Sequence, residues 1–235
     1  MDAPPVIDQP DEPRRYGRGL FLATVVGGVS SLYWGKSAWN SVSGVVSPIA
    51  GAVAPILPTS GWRIYTVADS MPVFDPATWR LTIGGQVEQP VSFSYDELRA
   101  LPRAEQISNF HCVTGWSVGN VHWAGVRIND LLAAANPLAS AHALEFVSME
   151  KPYVDYLTLQ QASLGDVLVA YEMDGKPLPR EHGAPLRLVI PEMYGYKNVK
   201  WVEQINLVPQ AENGYWEELG YDRDAWVGRS NGYAT

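Results

Sequence analysis

The sequence predicts a mixed α+β domain, rich in short strands and poor in long helices. Short apolar or alternating runs recur from residue 61 onward, each bounded by Gly, Pro, Asn or Asp. The helical patterns among them are brief and capped, and they do not alternate strictly with the strands, which argues against a doubly wound parallel sheet. With 46% hydrophobic and 18% charged residues, the chain has the composition of a folded globular protein.

Taken in order, Trp79-Arg80-Leu81-Thr82-Ile83 alternates as a strand, and Gly84-Gly85 is a hairpin turn signal, with Gln86 to Phe93 as the partner strand. Ser94 caps a short helix carrying Asp96 and Glu97 in its first turn, with Pro102 just beyond it. A strand over 104–110 follows. The stretch from Ile128 to Ala135 reads as a helix, stopped by Asn136-Pro137. Further strands are expected over 143–149, over 167–173 with a turn at Asp174-Gly175, and over 186–190 and 199–208.

The first 60 residues have a different character. A proline-rich acidic tip leads to Arg14-Arg15-Tyr16-Gly17-Arg18, then to a run without charge that ends before Lys36. A basic stretch ahead of a moderately apolar, Gly/Ser-diluted run is the layout of an export signal, and the arginine pair points to the twin-arginine route. The apolar run is short of the ~20 residues that span a bilayer comfortably. Trp34, Lys36 and Trp39 would suit a membrane interface, whereas Ala52-Val53-Ala54 offers a small-residue cleavage site with Pro55 against it. A cleaved leader and a retained anchor both fit. The expected division is 1–60 for signal or anchor plus tether, and 61–235 for the folded domain.

A formal charge of −8, with no basic run longer than Arg14-Arg15, excludes a nucleic-acid surface. A single cysteine excludes an internal disulfide, a multi-cysteine zinc or iron–sulfur site and paired-cysteine haem attachment.

That cysteine, Cys112, follows a strand and opens a Gly/Ser-containing turn, with His111 beside it. Such a place suits chemistry, while a free cysteine is also a common core hydrophobe. A thiolate would serve as a soft metal ligand or as a nucleophile. Adjacent strand residues point to opposite faces, so His111 is poorly placed as a base for Cys112. Arg187 interrupts the apolar run Leu186 to Ile190. It is either a solvent-facing strand residue or a buried cation that requires an anion. The run Tyr194-Gly195-Tyr196-Lys197-Asn198-Val199-Lys200 is a glycine-containing turn with two lysines, which reads either as a solvated loop or as an anion cradle.

Three separated segments together carry a resemblance. Phe110 through Leu132, Glu181 through Trp201, and Gly214-Tyr215-Trp216-Glu217 with Ala225-Trp226-Val227-Gly228 resemble, in the same order, the molybdenum-pterin domain of the sulfite oxidase superfamily. The similarity is to its small bacterial branch, which includes the periplasmic methionine sulfoxide reductase catalytic subunit. It implies a β-rich sulfite-oxidase-type molybdopterin-binding fold, a molybdenum-molybdopterin cofactor and two-electron oxygen-atom transfer at a sulfur–oxygen centre. Cys112 then takes the position of the molybdenum ligand. Tyr65, Thr66, Ser148, His182, Arg187, Asn198, Val199 and Lys200 fall at cofactor-contacting positions, and His111 is a pocket neighbour. Ser148 stands where that branch has threonine and His182 where it has asparagine, and a histidine there brings possible pH sensitivity. His122 and His142 have no inherited role.

Substrate-binding arginines of sulfite-oxidising members have candidates in Arg63, Arg127 and Arg180. The sequence carries no haem-attachment motif, so a separate electron-transfer partner, with a membrane haem protein as one candidate, is expected to exchange electrons with a small-molecule or protein-bound substrate outside the cytoplasm. The competing readings are a membrane-tethered binding module that keeps the fold without activity, and a cysteine-nucleophile enzyme.

Overall fold

The computed structural model describes residues 61–229, together with the backbone of a short strand at Arg14–Tyr16 (β1). The expected export segment, from Gly17 to residue 60, lies outside the described residues. Only the arginine pair falls within them, in β1, whose backbone runs parallel to β2 (Arg63–Tyr65). No helix among the described residues is long and apolar enough to cross a membrane.

Two five-stranded sheets form the body, and strands outnumber helical residues as expected. In one sheet, β3 (Arg80–Gly85) lies between β4 (Val91–Ser94) and β12 (Val202–Val208). Beyond β12 come β7 (Ala143–Ser148) and then β8 (Val154–Thr158). Leu81 and Ile83 of β3 face inward while their neighbours face out, so the period-2 pattern read from the sequence is real. The glycine pair is not the hairpin turn. Gly84 and Gly85 are strand residues paired in parallel with Asn206 and Leu207 of β12. A Cβ on Gly85 would stand 2.2 Å from the Leu207 carbonyl oxygen, so the glycine permits this close approach.

The other sheet holds β5 (Ala104–His111), β6 (Ser117–Arg127) and β9 (Leu168–Met173) in that order. Both β10 (Lys176–Pro177) and β11 (Arg187–Val189) pair with β9. Val169 and Tyr171 of β9 enter the main core, and Leu168 and Ala170 enter a smaller one on the opposite face with Val121, Trp123 and Val189. Burial on both faces is why this strand reads as a continuous apolar run. The Asp174-Gly175 turn behind it is present, with φ of 52° and 73°.

Strand β6, the longest in the domain, has no strand signature in the sequence. Its glycines and asparagine read as turn material, yet it pairs with both β5 and β9. The turn itself is confined to 112–116, where the Cys112 N–H donates to the Trp116 carbonyl at 2.9 Å and Gly115 takes φ +87°. Gly125 belongs to the sheet, since a Cβ there would lie 1.8 Å from the Val169 carbonyl oxygen.

Among the described residues, three short α-helices and two 3-10 turns join the sheets. In α1 (Tyr95–Ala100), Ser94 and Glu97 form a reciprocal capping box, the Ser94 N–H donating to Glu97 at 2.8 Å. The second, α2 (Ile128–Ala135), buries Ile128, Leu131, Leu132 and Ala135 at helical spacing and ends at Asn136 with φ 50°. Thr158 and Gln161 cap α3 (Leu159–Ala162) in the same reciprocal way. The main core joins the helices to the inner faces of both sheets, through Leu98, Leu131, Phe146, Val169 and Ile205 among others.

Gly125→Ala should cost about 3 kcal/mol, the upper end of overpacking penalties, because backbone rather than a flexible side chain must give way. Urea unfolding measures this, and an unchanged midpoint would mean that β6 and β9 are not held in this register.

Candidate active site

A cleft of about 770 Å³, its open mouth included, lies where β2, the 112–116 turn, the loop behind β11 and the C-terminal segment meet. That size suits a cofactor-scale ligand. Cys112 is in its wall, placed there by the β5–β6 hairpin. The Cys112 Sγ lies 3.2 Å from the Thr114 hydroxyl. Burial pushes the thiol pKa up, while Thr114 and then the Arg63 guanidinium pull the other way. The protein alone therefore holds a protonated thiol, and a bound cation would displace that proton.

Arg187 is a buried cation, not a solvent-facing strand residue. It is 2% exposed, and its Nη1 donates to the His182 carbonyl at 3.0 Å while Nε has no partner. Phe110 and Trp123 flank its guanidinium, with ring centroids 5.4 and 5.1 Å away. Burial pushes its pKa down to about 9. Lys200 is the second cation of the wall. Its Nζ donates to the Tyr65 carbonyl at 2.6 Å, and burial pushes its pKa down to about 7, opposed by Glu150 and reinforced by Arg187. Among the described residues no carboxylate forms an ion pair with either cation. A dry, cationic wall of this kind is built for an anion.

Tyr65, Thr66, His182 and Asn198 also line the cleft, so seven of the ten sequence candidates, with Cys112, Arg187 and Lys200, meet in one place. Thr66 bonds to the buried carboxylate of Glu150, which also accepts the Val67 N–H at 2.9 Å. His182 is 5% exposed against the Trp62 ring, and burial, then Arg187 and Lys200, push its pKa down to about 3. Both effects favour the neutral imidazole, which runs against the pH sensitivity expected of it. The Asn198 side chain is spent on backbone. Its Oδ1 accepts the Ile190 N–H at 2.8 Å and its amide donates to the carbonyls of Met193 and Tyr194.

The other three candidates stand outside the wall. Ser148 is fully buried, donating to the Lys200 carbonyl at 2.8 Å and accepting the Glu150 N–H at 2.9 Å, so it supports two wall residues from behind. Val199 is buried, and its carbonyl accepts from Leu188. His111 pairs its Nδ1 with the Ser117 hydroxyl at 2.8 Å and does not line the cleft. His111 is therefore not placed to serve as the base of the nucleophile reading.

Of the three candidate arginines, only Arg63 lines the cleft. Arg127 bonds to Gln106 at 2.6 Å, and Arg180 holds the Met71 and Pro72 carbonyls. The sequence reading also missed the aromatic wall of Trp62, Phe110 and Trp116, whose rings lie 4.9 to 6.2 Å apart, and it missed Glu150. The aromatics were inside the quoted motif or next to β2, but nothing in their spacing marks them as a wall.

A family model described as an oxidoreductase molybdopterin binding domain matches residues 68–216. The uncharacterized oxidoreductase YuiH of Bacillus subtilis is 33% identical over 204 residues, covering 83% of this chain and 96% of YuiH. The chain belongs to this family. Within the sulfite oxidase superfamily it also resembles the protein-methionine-sulfoxide reductase catalytic subunit MsrP of Xanthomonas axonopodis pv. citri, 33% identical over 60% of this chain and 48% of MsrP. The sulfite oxidase of Arabidopsis thaliana is 30% identical over 61% of this chain and 45% of that protein. The chain therefore spans nearly all of YuiH but about half of the other two. The sulfane dehydrogenase SoxCD of Paracoccus pantotrophus shares the fold, with a TM-score of 0.57 at 24% identity over 62% of this chain and 42% of its own.

The protein is accordingly an oxidoreductase whose cofactor is molybdenum-molybdopterin, on the β-rich sulfite-oxidase-type fold. The donor set fits this group: a soft thiol faces the cleft, and the buried Arg187, its Nε unpartnered, and the half-buried Lys200 lack a paired anion, as the cofactor phosphate requires.

In cofactor-free protein, alkylation of Cys112 by iodoacetamide should titrate above the ordinary thiol range. Thr114→Val should slow it a further 2- to 10-fold or about that at neutral pH, the effect of one lost hydrogen bond to the thiolate. Faster alkylation in the variant would remove Thr114 from the thiol's environment.

Proposed function

We propose that the protein transfers an oxygen atom to or from a sulfur–oxygen centre, reducing a sulfoxide or oxidising a sulfite-like substrate. The observation that carries this reading is the single thiol of Cys112 in the wall of a cleft that also holds the buried Arg187 and the half-buried Lys200, neither paired with a carboxylate. Cys112 is the residue assigned to the molybdenum, giving up its proton on ligation. Arg187 and Lys200 are assigned to the cofactor phosphate, with Tyr65, Thr66, His182 and the Asn198–Lys200 backbone shaping the site around it. Ser148 and Glu150 keep Lys200 and the 65–68 segment in place. When bound, the molybdenum supplies two-electron oxygen-atom chemistry.

Arg63 is the cation best placed to attract the oxygen of a substrate, because it lines the cleft and acts on the Cys112 thiol. Trp62, Phe110 and Trp116 screen the reacting centre from water and so strengthen each of these interactions. The electrons travel to or from a separate redox protein, for which a membrane haem protein is the candidate. The Arg14-Arg15 pattern supports export by the twin-arginine route, with the N-terminal segment either removed or kept as an anchor.

Cys112→Ser should abolish turnover and strip the molybdenum, with the fold intact by circular dichroism. Full molybdenum occupancy in that variant would overturn the ligand assignment. Arg187→Ala should speed pterin loss by about 10- to 100-fold, the worth of a charge-assisted contact to a phosphate. Metal and released pterin are assayed per chain in both. Protein matured with molybdate available that contains neither would favour a binding module that keeps only the fold.

A further inference from the structure

Behind the cleft wall lies a second charged cluster that the chemistry at Cys112 does not use. Lys197 Nζ contacts Asp155 Oδ1 and lies 2.7 Å from Glu217 Oε1, and the three side chains are 3%, 2% and 1% exposed. Each comes from a different part of the chain: β8, the loop behind β11, and the C-terminal segment. Each also adjoins residues of the cleft wall, since Tyr153, Tyr196, Asn198 and Trp216 line it. One ammonium thus joins three pieces of wall.

The cluster is short of positive charge. Asp155 Oδ2 and Glu217 Oε2 are buried without partners, and among the described residues Lys197 is the one cation in contact with either carboxylate. Gly214 leaves no room for relief, because a Cβ there would stand 2.6 Å from Glu217 Oε2 and 2.8 Å from Asp155 Oδ1. The buried phenols of Tyr153 and Tyr196, kept protonated by burial, feel both carboxylates, with Glu150 acting on Tyr153 and Asp222 on Tyr196, while the Tyr156 side chain leaves on the other face of β8 to bond Glu145. Two buried carboxylates and one lysine are neutral only while one proton remains.

We propose that Lys197, Asp155 and Glu217 form a proton-dependent latch that positions the Trp216 segment against the cofactor cleft and opens when its shared proton is lost. The latch governs retention of the cofactor, and in that part it rests on the function proposed above. The sign follows from the charges. Burial, with Glu217 adding to it, pushes Asp155 up to about 7 against the pull of Lys197, and Lys197 is itself held above its ordinary value by the two carboxylates although burial works against it. An acid whose folded pKa is raised stabilises the closed state at low pH and loses that contribution as pH rises through the folded value, here about 7. Above it, two like charges share one ammonium, and one of them is carried by the short C-terminal turn at Glu217–Leu219.

Hydrogen exchange of residues 214–221 as a function of pH, corrected for the intrinsic rate, tests the latch in the protein as purified. In wild type the opening population should grow about tenfold per pH unit below the Asp155 value and level off above it. Glu217→Gln leaves Lys197 paired with Asp155 alone and should give a flat profile. Asp155→Asn, which leaves Lys197 with Glu217, should do the same and stands in if the first variant does not fold. Loss of molybdenum and pterin from the loaded enzyme should follow the same profiles. A flat profile in wild type, or pH-dependent opening that survives in either variant, overturns the latch. Proportional exchange and latch variants that behave as described, with no pterin in any sample, would instead keep the latch and sink the proposed function.

Discussion

Two cations without a paired carboxylate, the buried Arg187 and the half-buried Lys200, are the constraint from which the cleft follows. Desolvating a guanidinium and an ammonium is costly, and here they are held by carbonyls and aromatic faces alone. Their charge is unfavourable enough to push both pKa values down, and that of neighbouring His182 with them. Such an arrangement is stable only because packing elsewhere over-determines it, and an anion in the cleft would restore what burial removes.

The supports are specific. Strand β11 places Arg187 by pairing with β9, a strand buried on both faces and therefore immobile. The loop that carries Lys200 is tied to the thiol strand by the Gly195 N–H, which donates to the His111 carbonyl at 2.7 Å. Gly195 also packs against the tip of the Phe110 ring, where a Cβ would come within 2.3 Å of Cζ. Asn198 holds the loop to its own backbone and Ser148 anchors the Lys200 carbonyl. The soft ligand and the anion site are thereby held in one rigid frame, as a cofactor that reaches from metal to phosphate demands.

Cys112, Arg187 and Lys200 stand out as a sole thiol at a strand end, a charge inside an apolar run and a lysine in a glycine turn. Each pattern also has an ordinary packed or solvated reading, and the resemblance of three separated segments decided between them. His111 was a misleading neighbour: alternation on the strand carries it to the other face, where Ser117 meets it. Ser148 and Asn198 matched by position, yet their hydrogen bonds run to backbone, and donors of this kind are the same in sequence whether they face a ligand or a carbonyl. Glu150 and the Trp62–Phe110–Trp116 wall left no local mark, because they come together across segments distant in the chain.

The amino-acid sequence by itself determined the fold class, the first two helices and the alternating and continuous strands, because these depend on periodicities and end signals within a few residues, while the role of the thiol came from the resemblance of three separated segments. Only the tertiary structure decided that Gly84, Gly85 and Gly125 are strand residues rather than turns, with close strand approach at Gly85 and Gly125, that β6 is the longest strand among the described residues, and that Arg63 alone of three arginines reaches the cleft. The same holds for the union of Lys197, Asp155 and Glu217. Each of these rests on contacts between parts far apart in sequence, whose cost or benefit exists only once the sheets have packed.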